Sequence, residues 1–243
     1  MSTNEKQLPV PGEIEEVEGC ASFLISPSTP AKKGQPWVWY APTLPPYPDA
    51  NEKWMFERFL NAGISIAGVD VGESSGNPEG RRLYTAFYTY LTKQRGLSEK
   101  AALLPRSRGG LMLYNWAAEN AEKVACIAGI YPVCNLMSFP GLERASEAYG
   151  VTPKTLEKEI SQHNPIDRLE SLATARVPIY HVQGDEDELV PLEANSQVLA
   201  ERYRALGGDV TLNIAQGHGH SVWTGFFQCQ DLVYFVKTHV VSK

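Results

Sequence analysis

KAALLPRSRGGLMLYNWAAEN, residues 100–120, changes character abruptly at its middle. Its first half, KAALLPR, is a short apolar run suited to a buried strand. From Gly109 the run GGLMLYNWAAEN reads as a helix, and Ser107 stands at the junction with two glycines behind it. A serine on so sharp a turn presents its Oγ at the rim of a sheet, beside the unpaired N–H groups that open a helix. That is where a nucleophile belongs. The plainer alternative is a serine that only caps the following helix.

Working outward, strand-like and helical patterns alternate from about residue 36. Runs 36–42 (PWVWYAP), 65–71 (SIAGVDV), 123–131 (KVACIAGIY), 177–184 (VPIYHVQG) and 209–215 (DVTLNIA) read as further strands. Between them, Asn51 is suited to cap a helix carrying Phe56, Phe59 and Leu60 on one face, with Gly63 beyond its end. Leu83, Phe87, Tyr90 and Leu91 mark a second amphipathic helix ending near Gly96. Leu192, Val198, Leu199, Tyr203 and Leu206 outline a third before Gly207-Gly208, and an apolar-striped helix over about 222–238 closes the chain. Alternation of this kind predicts an α/β fold, with a mostly parallel central sheet and helices on both faces. Turn-rich segments in residues 1–35 suit antiparallel edge strands. Residues 137–175 carry helical pieces and no strand, and so predict a small helical excursion within one domain spanning 1–243.

Composition narrows the function. The chain has 243 residues, 43% hydrophobic and 21% charged, which are ordinary globular values for one domain with a sizeable core. A net charge of −6 argues against nucleic-acid binding, which needs clustered Lys and Arg. No apolar run approaches the roughly 20 residues of a membrane span. Four cysteines show neither a CxxC pair nor metal-ligand spacing, which favours a reducing, cytoplasmic setting. The segment MSTNEKQLPVPGEIEEVEG has no apolar core, although export remains compatible with a leader removed earlier.

Two further loops complete a chemical pattern. After VPIYHVQG comes Asp185-Glu186-Asp187-Glu188-Leu189-Val190-Pro191. Carboxylates at a strand's C-terminal end lie where α/β sheets place their chemistry. Asp187 is the preferred acid and Asp185 the fallback; the bland alternative is an acidic turn capping the helix after Pro191. After DVTLNIA comes Gly217-His218-Gly219-His220-Ser221, whose glycines let an imidazole reach back across the sheet edge. His220 is preferred over His218 as the base. His163, His181 and His239 read as structural. A metal site would need more convergent ligands than these two histidines and the acidic loop offer. Serine, acid and histidine occur in the order Ser…Asp…His, each directly after a strand.

On the elbow SRGGLMLYNWA, the loop GVDVGESSGNPEG, the acid loop GDEDELVP and the histidine loop GHGHSVWTGFF, the chain resembles the dienelactone-hydrolase and prolyl-oligopeptidase-like branch of the α/β-hydrolase superfamily, over about residues 36–238. It departs at Pro105, where the G-x-S-x-G elbow has its first glycine. The resemblance implies a Ser107–His220–Asp187 triad working through an acyl-enzyme, with no metal or organic cofactor. It implies an oxyanion hole built from the Arg108 N–H and a second donor after PWVWYAP, either Ala41 or Thr43, because Pro42 has no N–H. The expected partner is a small-molecule ester, with neither nucleic acid nor membrane. A peptidase and a non-catalytic binding protein remain alternatives. Tyr40, Glu73, Tyr131 and Trp223 are candidate substrate contacts, with Trp39, Ser74, Arg106 and Arg108 as further candidates.

Overall fold

The structure, a computed structural model, describes residues 6–240. Eight strands form one sheet: β1 (Glu13–Val17), β2 (Cys20–Ile25), β3 (Trp37–Ala41), β4 (Ser65–Val69), β5 (Ala101–Pro105), β6 (Val124–Ile130), β7 (Ile179–Gly184) and β8 (Val210–Ala215). Their spatial order is β1-β2-β4-β3-β5-β6-β7-β8. β2 runs antiparallel to both its neighbours, and the others from β3 to β8 pair in parallel. The α/β expectation therefore holds, with the antiparallel pair at one edge.

The central strands are buried on both faces, which is why they read as continuous apolar runs. Along β3, successive side chains enter opposite layers. Trp37 and Trp39 pack with Tyr84, Phe87 and Trp116 on one face, while Val38 and Tyr40 join Phe56 and Phe59 on the other. Helices α1 (Lys53–Asn61) and α9 (Gln230–Val240) cover the second face; α2 (Pro78–Lys93), α3 (Gly109–Glu119) and α7 (Val198–Ala205) cover the first. The Trp39 ring lies 4.7 Å from that of Trp116 and 5.1 Å from that of Tyr84, centroid to centroid. Such aromatic pairs each add about 1 kcal/mol beyond the area they bury.

Several local expectations are corrected. Asp49, not Asn51, caps the first helix: its carboxylate accepts from the Asn51 N–H, and Glu52 closes a reciprocal capping box through the Asp49 N–H. The inward face of α2 centres on Tyr84, Phe87, Tyr88 and Leu91, while Leu83 and Tyr90 are only partly buried. The closing helix is two pieces, α8 (Thr224–Phe227) and α9, broken around Gln228 and Cys229. The segment 137–175 is helical, with α4 (Leu142–Tyr149), α5 (Pro153–Lys158) and α6 (Glu170–Thr174). Arg168 fastens it to the body by donating to the Asn115 side chain at 2.7 Å and pairing with Glu119 at 2.9 Å.

His181, in the middle of β7, is fully buried. Its Nε2 meets the Tyr114 hydroxyl at 2.7 Å and its Nδ1 the Ser196 hydroxyl at 2.9 Å. Desolvation pushes its pKa down to about 3, so the ring is neutral at ordinary pH.

Candidate active site

Ser107 stands two residues past the end of β5 and adopts φ +50°, a left-handed conformation that costs a non-glycine residue about 1 kcal/mol or more. Three bonds hold it there. The Arg106 N–H donates to the Ala41 carbonyl at 2.8 Å, and the Ser107 N–H to the Ile130 carbonyl at 3.0 Å. The Ser107 carbonyl accepts from the Val133 N–H at 2.8 Å. The glycines behind it are obligatory on steric grounds: a Cβ on Gly109 would overlap the Ala41 carbonyl, and one on Gly110 the Val133 carbonyl. Both obstacles are backbone and cannot swing away.

Pro105 is accommodated by the ladder itself. β5 pairs with β6 as far as Leu103–Ile127, and contact resumes only at the Arg106–Ile130 bridge. The register is the same on both sides of that gap, so the interruption coincides with the proline's missing N–H, while its pairing with Ala41 of β3 is kept.

The structure brings the three candidate side chains together. Ser107 Oγ lies 2.9 Å from His220 Nε2, and His220 Nδ1 lies 2.7 Å from Asp187 Oδ2. The other Asp187 oxygen accepts from the Val190 N–H at 2.8 Å and the Leu189 N–H at 3.1 Å. A carboxylate side chain that is fully buried and holds these donors is fixed as an acceptor. His220 Nδ1 therefore carries the hydrogen, which leaves Nε2 free to accept from the serine. The Tyr131 ring packs against the imidazole with centroids 4.4 Å apart.

The acid and histidine loops are also bonded to each other. The Glu186 N–H donates to the His218 carbonyl at 3.1 Å and the Gly217 N–H to Asp185 Oδ1 at 2.7 Å. Asp185, the fallback acid, thus braces the histidine loop. His218, the alternative base, stacks on Trp223 with centroids 3.6 Å apart.

A cavity of about 280 Å³ opens over Ser107. Tyr47, Tyr131, Phe139, Leu189 and Val222 supply its apolar walls, and Pro42, Arg106, Arg108 and Ser221 contribute to the rest. Of the sequence candidates for substrate contact, Tyr131, Arg106 and Arg108 line it. Tyr40 is wholly buried in the layer under α1, where its hydroxyl donates to Glu52 at 3.0 Å. Trp39 is core on the opposite face. Glu73 pairs with the Arg108 side chain outside the cavity, and Trp223 is occupied by His218. Ser74 is buried beside the start of α2.

Of the two proposed second donors, Ala41 is removed by geometry. It is a fully buried residue of the β3–β5 ladder, opposite Pro105, and its carbonyl is already spent on Arg106. A residue in a parallel strand turns its N–H and carbonyl to the same neighbour, so the Ala41 N–H faces β5 and not the cavity. Thr43, two residues on, stands beyond the ladder, with its hydroxyl donating to the Tyr40 carbonyl at 3.2 Å.

Sequence reasoning missed the charged support beneath the cavity. Arg106 is 6% exposed and donates through Nη1 to Glu52 at 2.7 Å and Asp49 at 3.2 Å. Its guanidinium lies between the rings of Tyr47 and Phe227, at 4.6 and 4.7 Å from their centroids. Burial raises the Glu52 pKa and Arg106 opposes that rise. Burial likewise pushes the Tyr131 hydroxyl up to about 12, so it stays protonated.

Residues 84–240 match the model of the prolyl oligopeptidase family, which is more than half the chain. The chain belongs to the prolyl oligopeptidase family. Solved structures share its fold across nearly its whole length. A puromycin-hydrolyzing peptidase from Mycobacterium tuberculosis superposes with a TM-score of 0.74 at 15% identity, over 94% of this chain and 40% of that one. An acylaminoacyl peptidase from Pyrococcus horikoshii gives 0.74 at 15%, over 96% and 42%. An S-formylglutathione hydrolase from Agrobacterium tumefaciens gives 0.68 at 15%, over 95% and 94%. The chain thus spans about two fifths of the length of those peptidases and nearly all of the S-formylglutathione hydrolase. No curated protein matches the sequence. The resemblance read from the elbow and loops is borne out at the level of family and fold: an α/β-hydrolase fold in a family of serine hydrolases.

Proposed function

We propose that the protein is a carboxylic ester hydrolase that transfers an acyl group to water through Ser107, His220 and Asp187. The observation that carries the reading is the continuous chain of contacts Ser107 Oγ–His220 Nε2–Asp187 Oδ2, at 2.9 and 2.7 Å, opening into a cavity. His220 Nε2 takes the serine proton as Oγ attacks the carbonyl carbon, and Asp187 steadies the imidazolium that forms. The Arg108 N–H at the start of α3 and the Thr43 N–H receive the oxyanion; donors of this kind contribute about 3 kcal/mol each. His220 then passes the proton to the leaving alcohol, and water releases the acyl group by the same steps in reverse order. None of these steps calls on a metal or an organic cofactor.

Support for a small or medium acyl group comes from the cavity, which at about 280 Å³ with mostly apolar walls falls at the small end of ligand sites. Family membership supports a second reading, cleavage of a peptide bond by the same residues.

A fluorophosphonate probe tests the chemistry. Labelling of the wild type that disappears in Ser107→Ala is expected; failure to label the wild type would favour a binding protein that keeps the fold. Nitrophenyl esters of increasing acyl length, assayed beside aminoacyl anilides, then separate the two substrates. Turnover confined to the anilides would refute the ester reading.

A further inference from the structure

The loop between β3 and α1 supplies two walls of the cavity, Pro42 and Tyr47, and carries Thr43, the second oxyanion donor of the reading above. Its sequence, PTLPPYP over 42–48, has proline at four of seven positions, 42, 45, 46 and 48. A proline has no N–H to give, so this loop is poor in donors with which to fasten its own carbonyls. One internal bond is present, from the Tyr47 N–H to the Leu44 carbonyl at 2.8 Å. Yet Thr43 and Leu44 are 2% and 7% exposed, and buried carbonyls need partners.

Lys6 supplies them. Its ammonium donates to the Thr43 carbonyl at 3.0 Å and to the Leu44 carbonyl at 3.0 Å, across 37 and 38 residues of sequence. The strap that carries it is anchored in turn, with Leu8 and Val10 packed into the core layer under α1. Beside this attachment a groove of about 790 Å³ separates Gln7, Leu8 and Pro9 of the strap from Pro45, Pro46 and Pro48 of the loop. Among the described residues the two bonds of the ammonium are the polar tie between strap and loop.

Resting on the hydrolase reading above, we propose that Lys6 is a positioning residue for acyl transfer: it clamps the proline-rich loop so that Thr43 and Tyr47 keep their places at the Ser107 cavity. Lys6 touches neither substrate nor nucleophile and acts only through the loop. A clamp made by an ammonium is strongest while charged, because charge-assisted bonds are about twice as strong as neutral ones. Burial lowers the Lys6 pKa to about 8, and the attraction of Asp70, just past β4, opposes that fall. Asp49 and Lys53 are the other charged groups along the groove. The clamp is therefore almost fully charged at pH 6, half charged near pH 8, and weaker above it.

The test compares wild type, Lys6→Met and Lys6→Arg between pH 6 and 9.5, with a nitrophenyl ester and with amide hydrogen exchange over residues 42–49. Lys6→Met is expected to lower kcat about fivefold, to leave KM within twofold, and to speed exchange at Thr43, Leu44 and Tyr47. The wild-type kcat should fall as the pH passes about 8, whereas Lys6→Arg, charged throughout, should hold its kcat across that range. A purely structural role would shift the melting temperature without this contrast in pH profile. A Lys6→Met kcat within twofold of wild type, or the same alkaline fall in Lys6→Arg, overturns the proposal. Wild type that no fluorophosphonate labels would remove the hydrolase reading and this one with it. Normal labelling beside an unchanged Lys6→Met removes this one alone.

Discussion

Lowering the pH from 7 to 5 should cost this protein about 2 kcal/mol of stability through a single ring, that of His181. A histidine in the unfolded chain titrates near 6.5, but burial in β7 drops the folded value to about 3. The folded state therefore binds fewer protons between those two values, and stability falls as pH drops through 6.5. The loss is under 1 kcal/mol by pH 6 and about 2 kcal/mol by pH 5, and it levels off below pH 3. Urea unfolding at pH 7, 6 and 5 measures it, with His181→Gln as the comparison. Glutamine keeps a donor and an acceptor for Tyr114 and Ser196 but does not titrate. Its own packing cost is the same at each pH. The contribution of His163, whose pKa is also lowered by burial, is common to both proteins and cancels. Equal pH slopes for wild type and His181→Gln would refute the reasoning and imply that water or a proton reaches the ring at little cost.

Asp187→Asn turns an amide N–H towards His220 Nδ1 and favours the wrong tautomer, so kcat should fall about 10⁴-fold with the circular-dichroism spectrum unchanged. Pro105→Gly restores the usual elbow sequence; because the proline already sits in a gap of the ladder, kcat should stay within twofold. Stability should fall by about 1 kcal/mol from the looser unfolded chain, read by urea titration. Gly110→Ala drives a Cβ into the Val133 backbone and should yield insoluble protein or a melting temperature lower by 6 °C or more. Gly63→Ala, at φ +75° in open space, should lose only about 1 kcal/mol.

Strand positions were legible because each central strand is a short apolar run, and one that is buried on both faces shows itself without alternation. The same property hid the orientation of β3. With Trp37 to Ala41 all apolar or aromatic, nothing in the run says that Trp39 and Tyr40 enter opposite core layers, away from the cavity at the strand's end. Ser107, Asp187 and His220 could be read because each ends a strand and the fold fixes where strand ends meet. Glu52 could not: its link to Arg106 spans 54 residues and depends on how α1 docks. Its one local sign, Asp49 and Glu52 at capping-box spacing, marks a helix start and is silent about a guanidinium above it. Lys6 lies among polar residues whose pattern indicates no contact at all.

The bonds from Glu186 to the His218 carbonyl and from Gly217 to Asp185 have a bearing on how such a protein diversifies. Proton acceptor and its carboxylate ride as one casting, set against the elbow by the Ser107 hydroxyl and the Tyr131 ring. Mutations that recut the chamber at Tyr47, Phe139 or Val222 can accumulate without retuning that casting. New substrates are thus open to the lineage through its wall residues, while the proton route is inherited intact.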